Sequence, residues 1–198
     1  MKKLLTLMIA AAAMISFTAC EKENNEKVLP NEFTIGMDTY ALGAAICNCY
    51  VYDNQEMTEY NIWLTDKVHW DANGDWEDVN ATNYSNSFET NVYDLYAKGV
   101  AEGSMPTGKF TYSLNDEHLT HNGYSDYLVY DENGDYDEYI EFGQYNVESS
   151  KLEIEIKHIS NNIYELKLTG GVDVFGNAVS GYYKGAFDIH VYHEADLK

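Results

Sequence analysis

The chain has 198 residues, with 33 acidic residues, 12 lysines and no arginine, and its formal net charge is −21. A nucleic acid needs basic contacts to its phosphates, and bidentate contacts need arginine, so this composition excludes nucleic acid as an expected partner. The length is sufficient for one domain with a buried core. We interpret the acidic surface as a solvated, self-repelling surface that keeps the domain soluble.

The N-terminus has the features of a secretory signal peptide. A basic start, Lys2-Lys3, precedes an apolar run, Leu4 to Ser16, that is short for a membrane span. Small residues, Thr18-Ala19, precede Cys20, as cleavage by a lipoprotein signal peptidase requires. We therefore expect residues 1–19 to be removed and Cys20 to be lipidated, so that acyl chains attach the protein to a membrane. The alternative is an incidental cysteine near an ordinary cleavage site.

Residues 20–31 are predicted to form a disordered acidic tether behind the lipid. The stretch Glu21 to Lys27 is charged and has no apolar residue, so it cannot contribute to a packed core. Acidic residues directly after a lipidated cysteine resemble the export signal of surface lipoproteins in Bacteroidota-type bacteria. This resemblance implies an outer-membrane location with the protein facing the cell exterior. Residues 32–198 are then expected to form one domain.

Short strands begin directly after the tether. Apolar residues alternate between Phe33 and Met37, and two apolar runs, Ala44 to Tyr52 and Tyr60 to Thr65, are separated by a polar turn. Cys47 and Cys49 lie two residues apart on the first run, so their side chains point to one face of a strand. We expect two buried, free thiols there, because a Cys-x-Cys pair alone lacks half of a zinc site.

Residues 67–79 are predicted to form a β-hairpin around Asn73-Gly74, with a two-residue type I′ turn. Its alternation directs Val68 and Trp70 toward the core. The same register directs His69 and Trp76 toward water.

Tyr124 to Phe142 is predicted to form a second β-hairpin, with the same two-residue type I′ turn at Asn133-Gly134. A two-residue turn places Glu132 opposite Asp135. The pairs expected further out on the core side are Tyr127 with Ile140 and Val129 with Glu138, while Asp126, Tyr130, Asp137 and Glu141 are expected to face water.

Between and after these hairpins, two segments carry a second resemblance. Met105 to Tyr112, following Tyr93 to Tyr96, resembles a strand-loop-strand motif common in Bacteroidota lipoproteins of lipocalin-like or calycin-like fold. Val179 to Gly185 is similar to the closing strands of that family. The resemblance implies a β-barrel and assigns no catalytic residue, since the family is mostly without a known activity.

The C-terminal third has the clearest period of two. Apolar residues alternate with charged ones from Leu152 to Lys157 and again from Tyr164 to Leu168, with Asn161-Asn162 as a turn between them. Ala178 to Tyr192 supplies the last strand or two. We find no long amphipathic helix, so the sequence predicts an all-β domain: an antiparallel up-and-down β-barrel, or a sandwich, of about ten strands.

The two acidic turns place oxygen ligands at alternate positions, as calcium loops do. In the first turn these are Asp71, Asn73, Asp75 and Glu77, and in the second Asp131, Asn133, Asp135 and Asp137. Their glycine is at the fourth position, where an EF-hand loop has it at the sixth. Plain hairpin turns are therefore the favoured interpretation, with calcium as the alternative and no other cofactor expected.

The 18 tyrosines and three tryptophans are the remaining functional signal. Aromatic rings beside carboxylates and amides suit sugar rings, so we expect a non-catalytic module that binds carbohydrate or another small ligand, with Trp76, Asp71, Asp78 and His69 as candidate ligand-binding residues. The alternatives are a barrel lumen that holds an apolar ligand, and a purely structural surface protein. An enzyme is the weaker interpretation, because the sequence contains no nucleophile elbow, zinc-protease motif or phosphate loop.

Lipidation gives a direct prediction. Cys20→Ala removes the acceptor of the acyl chains, so the full-length variant is expected in the soluble fraction, while the parent chain is expected in the membrane fraction. Fractionation followed by a high-salt wash measures this difference. Retention of the variant on membranes after the wash would contradict the lipid anchor.

Overall fold

The computed structural model describes residues 29–53, 56–75 and 84–197. In this part of the chain the fold is all-β, with no α-helix and one 3₁₀ turn at Glu194–Leu197. Its strands are β1 (Glu32–Ile35), β2 (Asp38–Ala41), β3 (Ala44–Val51), β4 (Met57–Thr65), β5 (Phe88–Lys98), β6 (Gly108–Tyr112), β7 (Thr120–His121), β8 (Ser125–Tyr130), β9 (Tyr136–Glu141), β10 (Glu153–Ser160), β11 (Ile163–Val172), β12 (Ala178–Ala186) and β13 (Asp188–His193).

These strands form one curled mixed sheet, which makes a half-barrel. Its order is β13-β3-β4-β5-β7-β6-β10-β11-β12-β1-β2, and the hairpin of β8 and β9 branches from β5. The prediction of an all-β, barrel-like fold is confirmed at this level.

Period-two alternation directs apolar side chains to the inside of the curl. In the antiparallel pair of β10 and β11, Ile154 lies opposite Leu168 and Ile156 opposite Leu166, and all four side chains are buried. The charged residues between them, Glu155 and Lys167 among them, point outward, since neighbours on a strand face opposite sides. The hairpin predicted at this point in the sequence is confirmed.

Contacts between strands that are distant in the sheet close the curl. Phe33 on β1 is fully buried, and its ring centroid lies 5.2 Å from that of Phe88 on β5. It also lies 5.6 Å from the ring of Phe142, directly after β9, and 6.1 Å from that of Tyr127 on β8. The interior of the curl is therefore filled by side chains that join its two halves.

The sheet departs from a purely antiparallel, up-and-down order. β13 runs parallel to β3, and β6 runs parallel to β7. Parallel neighbours need a crossover connection rather than a tight hairpin, and β13 meets this need by returning at the end of the chain to the edge of β3. The described sheet has 13 strands, compared with the predicted ten or so.

The hairpin of β8 and β9 confirms the outer register but not the predicted turn. Tyr127 lies opposite Ile140 and Val129 opposite Glu138, as expected. The register shifts before the turn, where the N–H of Asp131 donates to the carbonyl of Asp135, and only Gly134 in the loop has positive φ. This is a three-residue loop with a glycine bulge, which replaces the predicted type I′ turn.

In the segment before the first acidic turn, the buried and exposed side chains differ from those predicted. Val68, expected in the core, is 60% exposed, whereas His69, expected in water, is 1% exposed. Trp70 is buried as predicted, but it packs with Ala44 and Ile46 in a separate small cluster. The isolated bridge at Trp70 is not a regular strand, so strand alternation does not apply to this segment.

A matched pair of substitutions tests the closing contact. Phe33→Ala removes a fully buried ring and is expected to lower the free energy of unfolding by about 3–5 kcal/mol. Phe175→Ala removes the same atoms at a side chain that is 74% exposed, so its effect should stay within about 0.5 kcal/mol. Urea unfolding measures both, and equal effects would contradict the assigned core.

Candidate functional site

One row of outward-facing residues crosses four neighbouring strands. Trp63 on β4 lies opposite Asn91 on β5, Asn91 opposite Asp126 on β8, and Asp126 opposite Glu141 on β9. Residues directly opposite each other in antiparallel strands share one face of the sheet. The core residues Ile62 and Val92 occupy the other face, so this row lies on the outside of the curl.

Three tyrosines extend the row into an aromatic surface. The ring of Tyr93 meets Trp63 edge-on at 5.7 Å, and the ring of Tyr124 lies 5.1 Å from Tyr93. Tyr139, on β9, is 51% exposed. We call this surface the outer aromatic face; it consists of Trp63, Glu89, Asn91, Tyr93, Tyr124, Asp126, Tyr139 and Glu141.

A chain of hydrogen bonds connects Tyr124 and Tyr139 to a buried carboxylate. The Tyr139 hydroxyl donates to Oδ2 of Asp126 at 3.0 Å, and Asn91 Nδ2 donates to Oδ1 of the same carboxylate at 2.8 Å. The hydroxyls of Tyr124 and Tyr139 are 2.7 Å apart, so Tyr124 donates to Tyr139 when Tyr139 donates to Asp126. The arrangement fixes the orientation of both rings.

Two carboxylates of the face are unusually buried. Asp126 is 1% exposed, and burial raises its pKa to about 6, against the opposing hydrogen bonds from Asn91 and Tyr139. Glu89 is 7% exposed, and burial raises its pKa to about 7, with the charge of Asp126 contributing in the same direction. Strongly perturbed carboxyl groups on one surface are a physical indication of a functional site.

The face also contains an acceptor with no donor. Asn91 is 2% exposed. Its Nδ2 atom donates a hydrogen bond to Asp126, but its Oδ1 atom has no hydrogen-bond partner. A buried acceptor left unpaired costs about 1–3 kcal/mol. A ligand that brings an N–H or O–H group to this atom would remove that cost.

Much of the site predicted from sequence is placed elsewhere or lies outside the described residues. Trp76, Glu77 and Asp78 fall in the undescribed stretch 76–83, and Cys20 precedes the first described residue. The prediction that His69 faces water is wrong, because its side chain is buried. Its Nε2 lies 2.8 Å from Ser87 Oγ, and its ring stacks on Tyr84 at 4.2 Å.

The acidic turns use their first carboxylate to hold the loop. Oδ1 of Asp71 accepts the N–H of Asn73 at 2.7 Å and that of Asp75 at 3.1 Å, and these bonds lower the pKa of Asp71. Asp131 repeats the geometry with Asn133 at 2.7 Å and Asp135 at 3.0 Å. A third turn, at Asp173, does the same with the N–H groups of Phe175 and Asn177.

The repeated geometry favours the hairpin-turn interpretation, because the oxygens already accept backbone hydrogens. The residues described contain no group of three or more His, Cys, Asp and Glu side chains arranged to hold a metal. Calcium binding at these turns stays the alternative.

A cleft of about 580 Å³ lies beside the first acidic turn. Trp70, Asp71 and Asp188 line it. The indole N–H of Trp70 donates to Oδ2 of Asp188 at 2.9 Å, so these two polar groups already form a hydrogen bond with each other. Asp71, a predicted ligand-binding residue, thus lines this cleft, while Trp63 of the outer aromatic face packs against the neighbouring cluster of Ala44, Ile46 and Trp70.

Comparison with protein families, curated proteins and solved structures found no match. In residues 29–53, 56–75 and 84–197, no helix has the length and apolar composition to cross a membrane.

Sequence reasoning missed the centre of the face. Alternation in β5 places Glu89, Asn91 and Tyr93 on one side, and this signal was available from the sequence. Asp126 was expected to face water; it does point outward, but neighbouring side chains bury it. The prediction failed because alternation gives direction and not exposure.

Glu89 predicts a pH dependence of stability. A carboxyl whose pKa is higher when folded binds more protons in the folded state, so the free energy of unfolding falls as pH rises from about 4 to about 7. Glu89→Gln removes this effect. The variant should exceed the parent in stability near pH 8, by on the order of 1–3 kcal/mol, and by less near pH 5.

Urea unfolding at the two pH values measures the difference. Glu153→Gln, at an exposed position on β10, is the matched control and should show no such pH-dependent gain. A Glu89→Gln effect that is the same at both pH values would contradict the burial argument.

Proposed function

We propose that this protein is a lipid-anchored surface protein of the outer membrane, whose outer aromatic face binds carbohydrate without catalysis. The observation that carries the proposal is the combination of rings, carboxylates and an unpaired amide acceptor on one outward face of the sheet. The lipid anchor, the surface location and the acidic tether rest on Cys20 and the residues after it.

Sugar chemistry fits the two kinds of group on this face. The apolar side of a pyranose ring packs on an aromatic ring, and Tyr139 and Tyr124 supply rings that hydrogen bonds hold in place. Sugar hydroxyls donate hydrogen bonds, and bonds to an ionised carboxylate are about twice as strong as neutral ones. Asp126 and Asn91 Oδ1 are acceptors within the same row.

Binding is favoured over catalysis by the form of the site. The face lies on the outside of the sheet, open to water, while catalysis generally needs a site that excludes water. Packing inside the curl favours the outer face over a lumen ligand, because the ring of Phe33 packs against those of Phe88 and Phe142 in the interior.

For the fold we propose a lipocalin-like or calycin-like barrel whose central strands run up and down. Support comes from the antiparallel series β10-β11-β12-β1, in which successive neighbours pair without a parallel step. The β13 and β7 pairings are then additions to this antiparallel frame.

A glycan array on the soluble domain, residues 21–198, tests the function. We expect a saturable hit, and we expect Tyr139→Ala to weaken it about tenfold, since the ring is a half-exposed platform on the face. Phe175→Ala, which removes an exposed ring outside the face, should leave the affinity unchanged. No glycan hit, or equal losses in both variants, would overturn the proposal.

A further inference from the structure

Carboxylates recur on the outer side of these strands. Beyond the buried pair Glu89 and Asp126, a second pair of carboxylates, Glu59 and Asp94, lies further along β4 and β5. Burial raises the pKa of Glu59, and the charge of Asp94 contributes in the same direction. Tyr93 lies between Glu89 and Asp94 along β5, so an aromatic ring separates the two acidic pairs.

The lysine ion pairs that the structure describes lie away from these acids. Lys98, at the end of β5, contacts Glu56 at 3.0 Å, and Lys157 and Lys184 both contact Glu165 on β11. The chain contains no arginine, and residues 76–83 contain neither lysine nor arginine. None of these described lysine ion pairs involves Glu59, Glu89, Asp94 or Asp126.

Two buried amide oxygens add to the acceptors. Asn91 Oδ1 has no donor, as described above, and Asn48 Oδ1, on the outward side of β3, also has none. Asn48 is 7% exposed and lies opposite Asn61 on β4, which places it on the same side of the sheet. An unpaired, buried acceptor can accept a hydrogen bond from a donor on a ligand.

We infer that the ligand is a cationic carbohydrate, an oligosaccharide whose rings carry free amino groups, bound with its ammonium groups toward the acidic pairs and its rings on the tyrosines. This inference rests on the proposed carbohydrate function and names the class of sugar. An ammonium group supplies hydrogen-bond donors and charge together, and an ammonium over a tyrosine or tryptophan face gains a further cation–π attraction. Glycans with uronic or sialic acids are excluded by like-charge repulsion.

Calorimetry with two tetrasaccharides tests the inference. One is β-1,4-linked glucosamine and the other is its N-acetylated form, so the backbone is shared and acetylation replaces each amino group by a neutral, bulkier amide. Near pH 7, the amino form should bind about tenfold more tightly, corresponding to about 1.4 kcal/mol, and the preference should shrink between about 0.1 M and about 0.5 M salt.

Asp126→Asn keeps the shape of the side chain and should remove most of the preference, while the exposed control Glu153→Gln should retain it. Circular dichroism and urea unfolding verify the fold of each variant. If Asp126→Asn does not fold, Glu89→Gln takes its place with a smaller expected loss, because a carboxyl with a pKa of about 7 is only partly ionised near pH 7.

The remaining outcomes distinguish failure of the cationic ligand, of the sugar assignment and of the carbohydrate function. Equal binding of the two tetrasaccharides, or tighter binding of the acetylated form, overturns the cationic ligand and leaves the carbohydrate function standing. Binding of tetralysine as tight as that of the amino sugar overturns the sugar assignment in favour of a basic peptide. Absence of binding by every glycan on the array and by both tetrasaccharides overturns the inference and the proposed function together.

Discussion

The contact of Phe33 with rings on the opposite side of the curl is the constraint on which the fold depends. β1 and β5 are far apart in the order of the sheet, yet Phe33 and Phe88 pack at 5.2 Å. This contact requires the sheet to bend until its two halves share one interior. Apolar side chains then occupy the inside, and the alternate residues of every strand are left on the outside.

The outer aromatic face is a consequence of that arrangement. On β5, Val92 points into the core, so its neighbours Asn91 and Tyr93 point outward. Aromatic rings on this side cover the sheet enough to bury Asp126 and Glu89, and burial raises the pKa of both carboxyl groups. Burying a polar group lowers the stability of the fold unless the group is hydrogen-bonded. The unpaired Asn91 Oδ1 is therefore the atom of this face where a donor on a ligand would add the most stability.

Pairings between residues close together in the sequence could be predicted, and pairings between distant residues could not. The register of Tyr127 with Ile140 is local and was readable from alternation across one hairpin. The pairing of Asn91 with Asp126 joins residues 35 positions apart across two intervening strands, and no local pattern specifies it. The turn type was missed for a different reason. Asp131 accepts backbone hydrogens through its side chain, and this stabilises a longer loop than Asn133-Gly134 alone would favour.

The central claim is that ligand binds on the outside of the sheet, and side-chain amide resonances report on it directly. In a ¹H–¹⁵N titration with the tightest glycan found on the array, the amide group of Asn91 should shift, because its free oxygen gains a donor. Asn162 lines the cleft beside Trp70, and its amide, which donates to the carbonyl of Phe187 directly after β12, should stay in place. Shifts confined to Asn162 and its neighbours in the cleft beside Trp70, with Asn91 unchanged, would contradict the account.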